Sequence, residues 1–82
     1  MKQKGTPDER FLIKLYQTAM ASGDPHAWVD YRGVAKAVGQ KETAIKNIIK
    51  HLAQANFLKK EDDSVHLTER GCSFVLDALE NQ

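Results

Sequence analysis

Residues 55–71 read Ala55-Asn56-Phe57-Leu58-Lys59-Lys60-Glu61-Asp62-Asp63-Ser64-Val65-His66-Leu67-Thr68-Glu69-Arg70-Gly71. Two short runs, 57–60 and 65–67, flank a polar tip at Glu61-Asp62-Asp63-Ser64, which is the pattern of a β-hairpin. Thr68 follows at once and offers a hydroxyl to cap a helix running from Glu69 to about Leu79. The apolar residues of that helix, Cys72, Phe74, Val75, Leu76, Ala78 and Leu79, cover more than one stripe. A single core contact does not use them all, and the surplus points to a partner.

Upstream of the hairpin, residues 42–55 place Ile45, Ile48, Ile49 and Leu52 on one face of a 3.6-residue period, with Ala44 and Ala55 extending it. The opposite face carries Glu42, Thr43, Lys46, Asn47, Lys50 and Gln54, with His51 near the boundary. This is the best amphipathic segment of the chain. Before it, Ala27-Trp28-Val29 reads as a short strand, Asp30 as an N-cap, Tyr31 to Val38 as a short helix and Gly39 as its stop. At the start, Thr6-Pro7-Asp8-Glu9 is a capping box with proline at the first helical position and two acids at the positive end of the dipole. A first helix over residues 7–22 follows, with Phe11, Leu12, Leu15, Tyr16 and Ala19 on one face and Gly23 beyond its end. The expected architecture is mostly α with a small β-hairpin, in the order α-β-α-α-β-β-α.

With 82 residues the chain is one domain over 1–82, with an ordered core at about 7–79. A domain of this size buries only about 60 to 65% of its unfolded surface, which leaves no room for a deep enclosed cofactor site. The one cysteine, Cys72, excludes an internal disulfide or a C-x-x-C metal motif, and is expected to pack as a small apolar residue. His26, His51 and His66 lack metal-ligand spacing. There is no Gly-rich phosphate loop and no recognisable carboxylate pair, so neither metal, cofactor nor enzymatic activity is expected. No apolar run approaches a membrane span, and Met1-Lys2-Gln3-Lys4-Gly5 lacks the apolar stretch of a signal peptide, so the expected location is the cytoplasm.

Twelve Lys and Arg against eleven Asp and Glu leave a net charge of +1, which conceals an uneven distribution. Residues 41–60 hold Lys41, Lys46, Lys50, Lys59 and Lys60 against Glu42 alone. Residues 61–80 reverse the balance, with Glu61, Asp62, Asp63, Glu69, Asp77 and Glu80 against Arg70. The basic block coincides with the amphipathic helix and the first hairpin strand.

The order of elements resembles the winged helix-turn-helix domain over residues 7–79. Val34-Ala35-Lys36-Ala37-Val38-Gly39 looks like its second helix and turn glycine, and residues 44–52 look like its recognition helix. His66-Leu67-Thr68-Glu69-Arg70-Gly71 is similar to the Leu-Thr-x-x-Gly signature that closes the wing in MarR-like and related bacterial transcriptional regulators. The resemblance implies a small DNA-binding protein, a transcriptional regulator that docks its third helix in the major groove of double-stranded DNA. Positions 43, 46, 47 and 50 share one helical face, so Thr43, Lys46 and Asn47 are the base-edge candidates. Lys41 and Lys50 are phosphate candidates, and Lys60 adds one backbone contact from the wing. Arg32 and Lys36 stand where the second helix crosses the DNA backbone, although a plain surface role fits them equally. Regulators of this kind pair as two-fold dimers, and the contact is expected through the last helix at Phe74 and Ala78 or through the exposed side of the first.

Two features depart from the pattern. Lys41 stands where Ser or Thr normally caps the recognition helix, and lysine offers the free N–H groups no acceptor. The wing tip carries Glu61, Asp62 and Asp63, three acids that a polyanion repels. They support an alternative reading in which the same scaffold is a protein-interaction module with a protein partner and no DNA. Trp28, Tyr16 and Tyr31 are expected in the core, and Lys2, Lys4, Arg10 and Lys14 are expected to be solubilising.

Overall fold

The computed structural model describes residues 6–80. Four helices and three strands follow in the order α1 (Pro7–Ala21), β1 (Val29–Asp30), α2 (Tyr31–Val38), α3 (Glu42–Gln54), β2 (Leu58–Glu61), β3 (Ser64–Leu67) and α4 (Glu69–Glu80). The fold is mostly α with a β wing. The strands form one antiparallel sheet in the order β1-β3-β2, with Val29 opposite Val65 and Leu58 opposite Leu67.

Helix boundaries follow from capping chemistry. Thr6 accepts the N–H of Glu9 at 3.2 Å, and Asp30 accepts the N–H of Arg32 at 2.9 Å. The first three helices end alike: an N–H two or three residues past the helix reaches back to the carbonyl five residues earlier, from Asp24 to Ala19, from Gln40 to Ala35 and from Phe57 to Leu52. That reversal needs a left-handed residue, supplied by Gly39 at φ 74° and by Asn56 at φ 70°. α1 therefore stops at Ala21 with Ser22 as its cap, and α3 stops at Gln54 with Ala55 as its cap, each one residue short of the span expected from periodicity.

Phe11, Leu12 and Leu15 of α1, Tyr31 and Val34 of α2, Ile45, Ile48, Ile49 and Leu52 of α3, Leu58, Val65 and Leu67 of the sheet and Val75 of α4 are all buried in one core. No polar or charged residue is buried among the described residues. Tyr31 lies in the core as expected and Tyr16 packs half-buried against it, while Ala55, expected to extend the stripe of α3, is exposed.

Trp28 corrects the sequence expectation: it is 50% exposed. Val29 pairs with the fully buried Val65 and so points inward, and the period-two alternation of an extended chain turns its neighbour to the outer face of the sheet. The Trp28 ring rests instead on His66, with centroids 4.3 Å apart. His26 holds the preceding loop by donating Nδ1–H to the Leu67 carbonyl at 2.7 Å.

The start of α4 locks onto the exit of α3. Arg70 Nε donates to the Ala55 carbonyl at 3.0 Å, the Thr68 hydroxyl to Asn56 O at 2.6 Å, and the Thr68 backbone N–H to Phe57 O at 3.2 Å. The same hydroxyl accepts the N–H of Gly71 at 3.1 Å, so Thr68 caps α4 while it binds the chain leaving α3. Three consecutive carbonyls beyond α3 are thereby satisfied. The Leu-Thr-x-x-Gly passage is a clamp between two helices.

Candidate nucleic-acid interface

α3 is held by its apolar face, and everything of interest is on the other. Ile45, Ile48, Ile49 and Leu52 are buried, which turns Thr43, Lys46, Asn47 and Lys50 outward; all four are exposed, as is Lys41 at the N-cap. Thr43, Lys46, Asn47 and Lys50 form one exposed face, as their spacing predicts, and Lys41 stands ahead of it at the N-cap. α2 precedes them through the Gly39 reversal and the two-residue link Gln40-Lys41, which fixes the direction in which α3 leaves α2.

The face is basic but not uniformly free. Lys46 Nζ lies 3.7 Å from Glu42 Oε2 in an i, i+4 pair in which both side chains are more than 60% exposed. Such a pair stabilises little and is readily exchanged for a stronger anion. Lys41 makes no side-chain capping bond, although its φ of −74° and ψ of 157° are those of an N-cap. Lys41→Ser is therefore expected to stabilise the fold by about 1 kcal/mol, raising the melting temperature by roughly 4–8 °C. Thermal unfolding of the two proteins checks this.

The wing is short and tied down. Glu61 pairs with Ser64, leaving Asp62-Asp63 as a two-residue turn in which Asp62 takes φ 54°, the positive value that tight hairpin turns need at their first position. The Asp63 carbonyl accepts the N–H of Tyr31 at 3.0 Å, and its carboxylate lies 3.6 Å from Arg32, which also binds Asp30 at 2.9 Å. All three tip acids are exposed, and of them Asp63 faces a cation at the start of α2. Arg32, considered a phosphate candidate, has these two carboxylates as its partners.

Lys60 lies on the same face of its strand as Leu58, and its Nζ stands 5.9 Å from the centre of the Tyr31 ring. Its charge sits at the beginning of α2. Lys59, directly across from His66, projects from the outer face beside Trp28. Lys2 and Lys4 lie outside the described residues, and Arg10 and Lys14 are half-buried on α1.

The guanidinium of Arg32, through its side-chain and then its backbone hydrogen bond, holds the Asp30 carboxyl below the usual aspartate range, and Asp30 in turn raises Arg32. A lowered carboxyl pKa stabilises the fold above the unfolded value of about 3.9, and that contribution disappears as pH falls through the folded value. Asp30→Asn is accordingly expected to lower the melting temperature at pH 7, with a deficit that narrows below about pH 4. Melting curves of both proteins from pH 7 to pH 2 read it.

Among the described residues no cluster of His, Cys, Asp or Glu could hold a metal ion, and no helix is long and apolar enough to cross a membrane. Sequence reasoning did not anticipate the clamp by Arg70 and Thr68 or the tie from Arg32 to Asp63. Both join residues far apart in the chain or across a turn whose geometry no local pattern specifies. No protein-family model, curated protein or solved structure matches the chain.

Proposed function

We propose that this protein binds double-stranded DNA as a small transcriptional regulator, laying α3 in the major groove. The observation that carries the reading is the exposed face of α3, where Thr43, Lys46, Asn47 and Lys50 lie opposite a fully apolar face, with Lys41 exposed at the N-cap. An α-helix fits the major groove, where Asn47 can bond adenine N6 and N7 and Lys46 can reach guanine O6 and N7. Lys41 and Lys50 meet phosphates on either side, and the short wing, with Asp63 beside Arg32, stays back from the duplex. Lys60 adds at most one backbone contact. Two copies on a two-fold axis would read half-sites about 34–36 Å apart. Of the two faces considered for pairing, the exposed side of α1 around Gln17, Thr18 and Met20 is uncharged, whereas α4 carries several acids.

The test is a titration with random-sequence duplex at two salt concentrations, read from backbone amide signals. Affinity is expected to fall with salt with a log-log slope of about −0.9 per phosphate contact, roughly −2 to −3 in all. Shifts should centre on residues 41–50. Their absence at low salt would overturn the DNA reading and leave the protein-interaction module, which the exposed acids Glu61 and Asp62 favour.

A further inference from the structure

We propose that a groove between the start of α1, the end of α3 and α4 docks a protein segment carrying one large apolar side chain next to a lysine or arginine. The groove is distinct from the basic face of α3 and does not depend on the DNA reading. Its volume is about 270 Å³, the scale of one or two side chains, and it is open to solvent on one side. Leu12 and Leu52, almost wholly buried, make the floor. Phe57 and Phe74 make a wall, their rings 5.1 Å apart and tilted, and Phe74 keeps 36% of its surface exposed despite that neighbour. Phe74 and Leu76 are the surplus large apolar residues of α4 that the core does not use, and Phe74 is the one that lines the groove.

Charge selects the occupant. Asp8 and Glu9 line the groove half-buried, and among the described residues neither carboxylate has an ion pair. The positive end of the α1 dipole offsets about half a charge, so two carboxylates leave the rim negative. Arg70 lies over the Phe57 ring at 5.0 Å, but its Nε is committed to the Ala55 carbonyl and it is not part of the groove wall. A second copy is a poor occupant. A two-fold contact centred on the groove would set Asp8 and Glu9 against the same acids of the other copy. Turning the basic face of α3 into the groove supplies lysines but no large apolar side chain to fill it. The exposed Trp28 beside Lys59 has its ring laid on His66 on the outer face of the sheet, so that self-association through it is an outcome the test must separate. A foreign segment with both features meets the floor and the rim together.

The experiment screens the full chain against a display library of random peptides about twelve residues long, then titrates the most enriched peptide while following amide signals. Enriched sequences are expected to place Phe, Leu or Trp within one helical turn of Lys or Arg. Shifts should fall at the start of α1, the end of α3 and α4, leaving residues 41–50 still. Phe74→Ser, and separately Asp8→Asn with Glu9→Gln, should each weaken binding about tenfold or more while melting curves show the fold retained. Because the carboxamides keep shape and capping capacity, that second variant stands if the first unfolds. No enrichment, enrichment without basic residues, binding indifferent to the neutralised acids, or shifts on another face overturns the proposal. So does concentration-dependent self-association that Phe74→Ser abolishes, which would assign the groove to a second copy. Random duplex DNA added to the same sample should move residues 41–50 independently, so the two proposals fail or stand separately.

Discussion

Gly71→Ala is expected to destabilise the protein by about 3 kcal/mol or more, whereas Gly33→Ala should stabilise it by about 0.5 kcal/mol. Both glycines sit in the first turn of a helix, so local propensity treats them alike and favours alanine at each. Their surroundings differ. A methyl group at Gly71 would stand 1.9 Å from the Phe57 carbonyl oxygen and 2.9 Å from its carbon, while one at Gly33 meets nothing within 4 Å. The Phe57 oxygen cannot yield, because it belongs to backbone held by the N–H of Thr68 at 3.2 Å. Alanine must therefore push α4 away from the exit of α3, breaking the clamp made by Thr68 and Arg70 and opening the core around Val75. A domain of this length has roughly 4–12 kcal/mol of total stability, and each kcal/mol shifts its melting temperature by about 4–8 °C. Urea unfolding of the two variants beside the parent reads both signs in one experiment. Equal behaviour of the two would mean that α4 does not approach Phe57 as described.

Lys46→Glu is expected to lower affinity for duplex DNA by about tenfold to a hundredfold or more while leaving stability within about 0.5 kcal/mol. The substitution exchanges a cation for an anion at the middle of the proposed reading face and also breaks the pair with Glu42, putting two carboxylates one turn apart. Both changes repel phosphate. The fold should not notice, since the Lys46 side chain is 61% exposed and its pairing with Glu42 is an open surface one. Lys59→Glu, on the outer face of the sheet, makes the same change in net charge and should weaken binding far less. Equal losses from the two would assign the affinity to overall charge rather than to docking of α3. A large loss of stability in Lys46→Glu would mean that the helix presents a different face.

Much of this molecule was legible before any coordinates because its punctuation is local. Thr6-Pro7-Asp8-Glu9 starts α1, Asp30 caps α2, Gly39 ends it, and each works through hydrogen bonds that span no more than a few residues. The face of α3 was equally legible, since Ile45, Ile48, Ile49 and Leu52 leave only one way for Lys46, Asn47 and Lys50 to point. Trp28 was misread because size and apolarity were weighed without the pairing partner. Only the register of Val29 on Val65 says which side of the strand faces the helices. For the wing acids, composition marked three carboxylates at the tip, but not that Asp63 has Arg32 beside it.

The sequence by itself determined where each helix begins and ends to within a residue, and which residues of α3 face outward. Those properties depend on caps and on a 3.6-residue period, both contained in short stretches of chain. The tertiary structure alone decided that Gly71 must be glycine, that Trp28 stands outside the core, and that Phe74 opens onto an acid-rimmed groove. Each of these depends on a distance between residues that the chain brings together from far apart, and no local period carries that information.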